Sequence, residues 1–507
     1  IDKVASALQA SGVKKGDIVS ICSLNTPEFV YLLYAVNKVG AVSNWLGLTS
    51  PVSDLHEQIV STDCKMIFVI EMAYDKIKEA VKDSQVEQII TVPVENSMPK
   101  MMGFVVSRKN KHPHSDVIKW NDFLKTSTGR VEPPDVKSDE MAMIEYTGGS
   151  TGVPKGVMLS NRNLNSFYRN FYKANSSGRI DYQRGELYLA CAPLFLIFGA
   201  SACGHAPLCH SMELILAPDP NPTVVVKLIT KAKPNHIAAG RLLVDGLVEE
   251  VKDSDVDLSY IHSVVYGGEG ANKDWEREAE TKLKENNMHA PIRNYYGMTE
   301  VSATNLFTPN NYPCGLIPFH AVNVKIVDPD DHHVEYGYDT EGELCLSADT
   351  VMIGYWRKEK ETAEVLFQED GKKWIKTHDL AKVSPDGIIT ITGRIKRIYH
   401  KLSPDNVEIR AYPMRIEEAI LEDGNIGKCA VVGIKDDKLA YRTIAYLILK
   451  EKGDDMNAVK ERIDNLCRER LPESHIPDAY VFMDEFPLTR AGKVDYRALE
   501  LRAASET

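Results

Sequence analysis

The segment Tyr146-Thr-Gly-Gly-Ser-Thr-Gly-Val-Pro-Lys-Gly-Val157 is the most informative part of this chain. It places four glycines, three hydroxyl residues and one lysine in twelve positions. Glycine lets a backbone adopt positive φ and approach a ligand closely, and successive N–H groups with hydroxyls and a lysine form a nest for phosphate oxygens. The spacing matches neither G-x-x-x-x-G-K-[ST] nor G-x-G-x-x-G. The residues alone therefore leave open a glycine-rich surface turn or a phosphate-binding loop of another type.

The sequence on either side of this segment favours the phosphate-binding alternative. Met141–Ile144 has the pattern of a short apolar strand, and Asn163 begins a predicted helix. The whole segment resembles the Y-T-S-G-[ST]-T-G-x-P-K-G-V signature of the adenylate-forming superfamily, which contains acyl- and aryl-CoA synthetases, luciferases and peptide-synthetase adenylation domains. One position departs, because Gly148-Gly149 replaces the usual Ser-Gly. The resemblance implies that ATP phosphates are bound by Thr147, Gly148, Gly149, Ser150, Thr151, Gly152 and Lys155.

Further blocks of this superfamily follow in its usual order down to residue 499, so the resemblance covers nearly the whole chain. The chain starts at Ile1 without a signal pattern. Family members usually carry several dozen residues before this point, and a leading segment is therefore expected to be missing.

Composition and charge narrow the class of protein. The 507 residues suffice for two to four domains, and 43% hydrophobic with 26% charged residues is typical of a soluble globular protein. The net charge of −12 argues against nucleic acid as the main partner. Nine scattered cysteines without a C-x-x-C pair favour a reducing cytoplasm over a zinc or disulfide framework. The apolar stretch Pro193–Pro218 is interrupted by polar residues and predicts a buried core segment, not a membrane span.

The order of helical and extended patterns predicts an α/β protein. A β-α-β rhythm runs over residues 4–110 and resumes after the glycine-rich segment, which indicates parallel sheets covered by helices. From about residue 320 the pattern becomes β-rich, and Lys382–Thr392 is a hairpin with Asp386-Gly387 at its turn. We expect a large domain of parallel-sheet subdomains plus a β-rich subdomain (1–394) and a small, mobile α+β C-terminal domain (395–507). Their boundary near residue 396 is predicted to be a short hinge.

A second block, Asn294-Tyr-Tyr-Gly-Met-Thr-Glu300, follows a predicted strand. Ligands bind at the carboxyl ends of strands in open α/β sheets, although a Tyr/Met core edge with one solvated glutamate is an alternative. The block resembles the family's Y-G-x-T-E. The resemblance implies that Tyr296 faces adenine, Thr299 contacts the α-phosphate and Glu300 binds Mg²⁺.

Three shorter blocks carry further nucleotide contacts by resemblance, although a turn or a basic surface explains each of them alone. Gly268 and Glu269, which follow the strand Ser263–Tyr266, correspond to the wall of the adenine pocket. Asp379 stands in the family's T-G-D block, where the aspartate binds the ribose, but His378 replaces the glycine. Finally, Arg394 matches the arginine that contacts ribose or phosphate, and Lys396 matches the hinge.

The block Pro487-Leu-Thr-Arg-Ala-Gly-Lys-Val-Asp495 carries the lysine to which the resemblance assigns catalysis. A lysine after a glycine-containing turn is ordinarily a solvated charge. By resemblance, Lys493 reaches the cleft and neutralises charge while the carboxylate attacks the α-phosphate. The short block Gly354-Tyr-Trp356 also matches the family, where its role is mainly structural.

Residues Pro193-Leu-Phe-Leu-Ile-Phe-Gly199 resemble the block that lines the family's acyl pocket. The resemblance implies that the substrate contacts Phe195, Leu196, Phe198 and Gly199. Amino-acid-activating members have an aspartate in this region, whereas residues 190–212 contain no acidic residue. This favours an apolar acyl or aryl acid, and the alternative is that these side chains only fill the core.

The segment Leu402–Ala411 departs from the family. It is about six residues longer than the usual loop and lacks the glycine that lines the pantetheine tunnel, which leaves the thiol acceptor open. We expect an ATP- and Mg²⁺-dependent acid–CoA ligase that forms an acyl-AMP and then a thioester. Two alternatives are a ligase that loads a separate carrier protein, since the chain has no attachment motif of its own, and a nucleotide-binding protein without catalysis.

Overall fold

The computed structural model describes most of the chain, and its contacts divide it into two compact units. Unit 1 comprises the described residues of Ile1–Thr147, Val153–Asn323 and Ser347–Ile375, and unit 2 includes Val324–Leu346 and the described residues of Lys376–Thr507. The described residues are 1–95, 117–147, 154–176, 182–218, 221–252, 254–267, 273–309, 315–402, 408–436, 440–450, 455–489 and 493–505.

Unit 1 contains an eight-stranded sheet in the order β17-β7-β6-β2-β1-β3-β4-β5. The strands from β6 to β5 in this order are parallel, whereas β7 and β17 are antiparallel to their neighbours. Their bounds are β1 Ile18–Cys22, β2 Val42–Trp45, β3 Met66–Ile70, β4 Gln88–Val92, β5 Ile118–Lys119, β6 Met141–Tyr146, β7 Gly156–Ser160 and β17 Gly354–Tyr355.

A second sheet of unit 1 has seven strands in the order β14-β13-β12-β11-β10-β8-β9. The strands from β12 to β9 are parallel, and β13 and β14 add an antiparallel edge. The bounds are β8 Leu187–Ala190, β9 Glu213–Leu216, β10 His236–Ala239, β11 Ser263–Gly267, β12 Ile292–Tyr296, β13 Leu306–Phe307 and β14 Ile317–Pro318.

Helices cover the strands of both sheets and explain their hydrophobic runs. Every residue of β3 and of β10 is buried, as expected for parallel strands covered on both faces. The helices of unit 1 are α1 Asp2–Ala10, α2 Pro27–Lys38, α3 Val52–Val60, α4 Tyr74–Ala80, α5 Trp120–Lys125, α6 Asn161–Ser176, α7 Ala206–Cys209, α8 Pro222–Ala232, α9 Arg241–Val251, α10 Lys273–Lys284 and α11 Glu359–Val365. A π-helix, Phe198–His205, precedes α7.

Strands β15, β16, β18, β19 and β20 also lie between residues 323 and 394, and the division between the units falls within β19, between Ile375 and Lys376. Within unit 1, β18 pairs antiparallel with the first part of β19, and within unit 2, β20 pairs with its second part. The bounds are β15 Asn323–Val327, β16 Gly342–Ser347, β18 Leu366–Glu369, β19 Lys372–Val383 and β20 Ile389–Arg394.

The rest of unit 2 is a small α+β structure. A three-stranded sheet β23-β24-β25 packs its apolar residues against helices α12, α13 and α14, and β21 and β22 form a separate hairpin. The bounds are β21 Tyr399–Leu402, β22 Glu408–Ala411, β23 Ile426–Asp436, β24 Ala440–Leu449, β25 Ala479–Phe482, α12 Pro413–Ile420, α13 Met456–Arg470 and α14 Tyr496–Ser505.

The expected fold class is confirmed, and several local predictions change. Helix α6 begins at Asn161, before the predicted Asn163, because Ser160 and Asn163 cap each other's backbone N–H groups at 2.8 and 3.2 Å. The long segment Leu402–Ala411, whose structure the sequence left open, contributes to the β21–β22 hairpin. The contacts also group Val324–Leu346 with the C-terminal residues, so the boundary at residue 395 stays a prediction.

Two predictions from composition concern a membrane span and the state of the cysteines. No helix in the described part of the chain combines the length and apolar character needed to cross a membrane. The stretch Pro193–Pro218 instead contains the π-helix, α7 and β9, and half of its residues are buried. All cysteines within the described residues are free thiols.

One carboxyl group, near the C-terminal end of strand β6 in the first sheet, is buried with an oxygen that accepts no hydrogen bond from the described residues. Glu145 on β6 is 1% exposed, and its Oε2 has no hydrogen-bond partner among the described residues. Burial raises the pKa of Glu145 well above its usual 4.5. The folded chain therefore holds one more proton than the unfolded chain between pH 4.5 and the raised pKa, and stability falls as pH rises through that window.

Replacing this carboxyl group tests that linkage. Glu145→Gln should raise the thermal unfolding midpoint at pH 8 and have little effect at pH 5, because the wild-type penalty grows by up to about 1.4 kcal/mol per pH unit. The midpoints of both proteins would be compared from pH 5 to pH 8, with exposed Glu213→Gln as the matched control. A difference between Glu145→Gln and wild type that does not change with pH would contradict the burial argument.

Candidate active site

The two strands beside the glycine-rich segment hold its ends together. Strands β6 and β7 are antiparallel, with Tyr146 opposite Gly156. The N–H of Thr147 donates to the carbonyl of Lys155 at 3.0 Å, and the N–H of Lys155 donates to Thr147 Oγ1 at 3.2 Å. The predicted phosphate ligands between them, Gly148, Gly149, Ser150, Thr151 and Gly152, lie outside the described residues.

Glu300 lies in a short 3₁₀ turn, Thr299–Val301, just beyond the end of β12. The turn needs glycine at position 297, since a Cβ there would lie 1.9 Å from the carbonyl oxygen of Ala303. Ser302 follows in the left-handed region with φ of 62°. Glycine in the Y-G-x-T-E block thus permits a close backbone crossing that directs Glu300 inward.

Buried hydrogen bonds fix this turn to the segment that precedes β17. Ser302 Oγ donates to the carbonyl of Thr350 at 2.8 Å, and Thr350 Oγ1 donates to Asn305 Oδ1 at 2.7 Å. Asn305 Nδ2 in turn donates to the carbonyl of Val301 at 2.8 Å. A fully bonded buried network of this kind leaves the turn with little freedom to move.

Three side chains from separate parts of unit 1 meet at this point. The Tyr355 hydroxyl donates to Glu300 Oε1 at 2.7 Å, and Lys155 Nζ lies 4.6 Å from the centre of the Tyr355 ring. Burial, together with the neighbouring Glu300 carboxylate, raises the pKa of Tyr355, so its hydroxyl remains a proton donor. Tyr355 therefore orients the carboxylate and supports the lysine by a cation–π contact.

The Glu300 carboxylate has the properties of a ligand for Mg²⁺. Glu300 is only 7% exposed, and its Oε2 receives no hydrogen bond from any described residue. A buried carboxylate oxygen is a hard donor of the kind that Mg²⁺ prefers. The residues present therefore fit the ion that the sequence predicts.

The other predicted residues of unit 1 occupy the same strand ends. Tyr296 is the last residue of β12, and Thr299 opens the 3₁₀ turn, where both are half-buried. The adjacent strand β11 ends at Gly267, and Gly268 and Glu269 lie outside the described residues. Tyr296 and Thr299 thus lie at the carboxyl edge of the second sheet, where ligands of open α/β sheets bind.

Unit 2 pairs Asp379 with Arg394 across strands β19 and β20. Arg394 Nε lies 3.0 Å from Asp379 Oδ1, and the two residues are directly opposite in the ladder. Preceding them, His378 has a left-handed φ of 58°, a conformation that glycine adopts more easily. Glu343 accepts from the His378 N–H at 2.9 Å and lies 3.1 Å from its Nδ1, which explains how a histidine is accommodated there.

Lys396 lies in a 3₁₀ turn, Ile395–Arg397, between two anchored arginines of unit 2. Arg394 is held by Asp379, and Arg397 Nη2 lies 2.5 Å from Glu417 Oε1. The guanidinium of Arg397 also lies 3.7 Å from the centre of the Tyr496 ring. Lys396 itself is exposed, so the predicted hinge residue lies between two fixed points.

Lys493 of unit 2 is exposed, and it follows residues 490–492, which lie outside the described part of the chain. The N–H of Thr489 donates to the carbonyl of Lys493 at 2.6 Å, and the N–H of Lys493 donates to Thr489 Oγ1 at 3.2 Å. These bonds fix the backbone at Lys493 and present its side chain at the surface of the unit.

The predicted acyl-pocket residues lie on and before the π-helix of unit 1. Phe195 is 8% exposed, and Leu196 and Phe198 are half-buried. A Cβ at Gly199 would lie 2.0 Å from the carbonyl oxygen of Pro193, so the backbone there requires glycine. Burial also lowers the pKa of His205 to about 4, and this ring is therefore neutral near pH 7.

Comparison with known families decides the assignment. The model of the AMP-binding enzyme family matches residues 1–356, and that of the AMP-binding enzyme C-terminal domain matches residues 415–493. The chain belongs to the AMP-binding enzyme family. The resemblance to adenylate-forming enzymes is thereby confirmed.

Individual relatives extend over nearly the whole chain. A long-chain-fatty-acid–CoA ligase of Bacillus subtilis (strain 168) is 27% identical over 98% of this chain and 87% of its own length. A 4-coumarate–CoA ligase of Humulus lupulus is 23% identical over 99% and 87%. The solved structure of an anthranilate CoA ligase with anthranoyl-AMP has a TM-score of 0.82 at 19% identity and covers 99% of this chain and 91% of its own. This last similarity shows the fold.

Sequence reasoning missed two side chains of the site. Tyr355 was assigned only a structural role, and no motif marked its contact with Glu300, which lies 55 positions earlier. Glu343 was likewise not identified, although it supports the unusual backbone of His378. Tyr355 lies in the predicted structural block Gly354–Trp356, so its position within that block was the available signal for it.

Removing the Tyr355 hydroxyl tests how Glu300 is oriented. Tyr355→Phe should retain the ring beside Lys155 but lose the hydrogen bond to Glu300, and we expect the Mg²⁺ concentration that half-saturates ATP binding to rise about tenfold. Calorimetric titration of ATP at a series of Mg²⁺ concentrations measures this shift, with exposed Tyr31→Phe as the control. An unchanged Mg²⁺ dependence would show that this hydroxyl does not position the metal ligand.

The left-handed backbone conformation of His378 predicts how substitutions there change the unfolding temperature. His378→Gly should unfold at a higher temperature than His378→Ala by the equivalent of about 1 kcal/mol, since only alanine retains the steric cost of positive φ. At His400, on extended strand β21, the order should reverse because glycine weakens a strand. Thermal unfolding of the four variants measures both orders, and the same order at the two positions would refute the strain argument.

Proposed function

We propose that this chain is an ATP-dependent acid–thiol ligase that forms an acyl-AMP and then a thioester. A carboxylate oxygen attacks the α-phosphorus of ATP, and the bond to the β-phosphate oxygen breaks to release pyrophosphate. A thiol sulfur then attacks the acyl carbon, AMP leaves with the electron pair of the broken bond, and the thiol proton passes to solvent. The proposal is based on the contacts of Tyr355 with Lys155 and Glu300, in a chain that belongs to the AMP-binding enzyme family.

The proposed roles in unit 1 follow from position and charge. Lys155, supported by the Tyr355 ring, pairs with the phosphates that become pyrophosphate. Thr299 contacts the α-phosphate, and Tyr296 stacks on the adenine. Glu300 would hold Mg²⁺, which supplies positive charge that stabilises the leaving phosphate oxygens. Gly268 and Glu269 are proposed to line the adenine pocket.

In unit 2, the proposed roles fall to Asp379, Arg394, Lys396 and Lys493. Asp379 accepts hydrogen bonds from the ribose hydroxyls, and Arg394, already 3.0 Å from Asp379, contacts the ribose or phosphate. Lys493 supplies a movable cation during adenylate formation. We propose that the C-terminal domain, residues 395–507, turns about Lys396 between the two half-reactions, because one lysine cannot remain where a thiol must enter.

The substrate is proposed to be an apolar acyl or aryl acid. Phe195, Leu196 and Phe198 offer only apolar surface, and His205, on the same π-helix as Phe198, is neutral. No acidic side chain in this segment could pair with a substrate ammonium group. The fatty-acid and 4-coumarate substrates in the names of relatives agree with this class.

We propose CoA as the thiol acceptor, with a separate carrier protein as the alternative. The names of the relatives favour CoA. The β21–β22 hairpin occupies the segment that departs from the family and is the observation that keeps the alternative open. Free thiols at the described cysteines agree with the proposed cytoplasmic location.

Substitution of Lys493 tests the proposed half-reaction. Lys493→Ala should lower the rate of acid-dependent pyrophosphate release at least about 100-fold, since the transition state loses a cation, and should spare thioester formation from supplied acyl-AMP. Exposed Lys428→Ala, in the same unit, is the matched control. Adenylate formation at a near-normal rate in Lys493→Ala would remove this assignment.

Pyrophosphate release with a panel of carboxylic acids, with and without CoA, distinguishes the candidate functions. Acceleration by CoA with an apolar acid supports the ligase and names its substrate class. Release that is indifferent to CoA indicates a carrier-protein acceptor. No release with any acid, despite ATP binding, would favour the non-catalytic alternative.

A further inference from the structure

A second concave site lies on unit 1, apart from the residues assigned to the reaction. It is a groove of about 580 Å³ between helix α6, residues 320–323, residues 347–353 and the turn at 371–373. Neither Lys155, Tyr355 nor Glu300 lines it. Its volume falls in the range of small-molecule sites.

The groove carries an excess of positive charge. Two carboxylates, Asp139 and Asp349, line it, and Arg162 Nη2 donates to Asp139 Oδ2 at 3.1 Å. Arg169 makes no ion pair with any described residue and is exposed to the groove. The five cationic side chains of the lining are Arg162, Arg169, Lys173, Lys372 and Lys373.

The spacing along α6 directs a polar stripe into the groove. Positions 162, 166, 169, 170 and 173 recur at helical intervals and all line the groove. The apolar residues Phe167 and Phe171 of the same helix are buried on its other side. The helix thus presents its polar face to a concave groove that is open to solvent.

Two of these polar side chains are buried without a partner. Ser166 and Asn170 are 6% and 7% exposed, and neither side chain makes a hydrogen bond to a described residue. By contrast, Asn163 Nδ2 on the same helix donates to the carbonyls of Asp349 and Val351 at 2.7 and 2.9 Å. Buried polar groups are nearly always bonded, so Ser166 and Asn170 have unused capacity directed at the groove.

The lysines opposite α6 are held in place by neutral oxygens. Lys372 Nζ donates to Asn323 Oδ1 at 3.0 Å, and Lys373 Nζ donates to the carbonyl of Met352 at 2.7 Å. Burial lowers the pKa of Lys373, although Asp139 and Asp349 oppose the shift. An additional anion in the groove would favour the charged form of this lysine.

We propose that this groove binds a compact polyphosphate anion, with Arg169 and Lys173 pairing with its charges and Asn170 and Ser166 donating to its oxygens. Phosphate groups match this set because every group named can donate to an oxygen anion. The two carboxylates and the net charge of −12 disfavour a nucleic acid strand, and the volume of about 580 Å³ suits a small anion better than a protein segment. The proposal does not depend on the ligase reaction.

Direct binding of inorganic tripolyphosphate to the whole chain tests the proposal. Calorimetric titrations are made at low salt with saturating α,β-methylene-ATP, which occupies the proposed nucleotide site. One tripolyphosphate should bind per chain. Arg169→Ala and Asn170→Leu should each raise the dissociation constant about tenfold, as expected for loss of a hydrogen bond to a charged group.

The matched control is Lys227→Ala, which removes one exposed positive charge of unit 1 outside the groove and should leave the dissociation constant within about twofold of wild type. Absence of saturable binding, or equal binding by wild type and both groove variants, would overturn the proposal. An equal loss in Lys227→Ala would show a general charge effect and would also overturn it. Arg169 is exposed, so Arg169→Ala decides the matter even if Asn170→Leu fails to fold.

Discussion

The hydrogen bond from the Tyr355 hydroxyl to Glu300 is the contact on which the candidate site of unit 1 depends. Tyr355 belongs to the edge strand β17 of the first sheet, whereas Glu300 follows β12 of the second. The bond therefore joins strand ends of two different sheets. Lys155, which directly precedes β7, contacts the Tyr355 ring and so brings the end of the glycine-rich segment to the same point. Because the hydroxyl remains protonated, it donates to the carboxylate and so orients the second carboxylate oxygen, which it leaves unbonded.

Close backbone contacts and buried side-chain bonds make this meeting point rigid. Gly297 and Gly199 occupy positions where a Cβ would overlap a carbonyl oxygen. Asn25 links the sheets in a similar way, since its amide donates to the carbonyl of Ala192 at 3.0 Å and its Oδ1 accepts from the N–H of Leu194 at 2.8 Å. The acyl-pocket segment is thus held by polar bonds at one end and by the π-helix at the other. An apolar acid would meet a preformed surface, which reduces the entropic cost of binding.

Unit 1 and unit 2 contribute different kinds of side chain to the proposed chemistry. In unit 1, the charged groups proposed to contact ATP extend from buried strand ends. In unit 2, Asp379 and Arg394 are paired across a ladder, while Lys493 is exposed. A cation needed in only one half-reaction suits such an exposed position, whereas metal and phosphate ligands require fixed geometry. The groove proposed to bind a polyphosphate lies on unit 1.

The sequence by itself determined the family and the α/β class. It also predicted Tyr296, Thr299, Glu300, Asp379 and Lys493 as site residues, because local glycine spacing and strand-end motifs record constraints on the backbone nearby. Helix limits shifted by a few residues where a cap decided them, as at Ser160. Only the tertiary structure showed that Tyr355 bonds Glu300, that Glu343 supports His378, and that Ser166 and Asn170 lie buried beside the cationic side chain of Arg169. These contacts join residues distant in the chain, and hydrophobic periodicity or a short motif carries no information about which distant side chain completes a hydrogen bond.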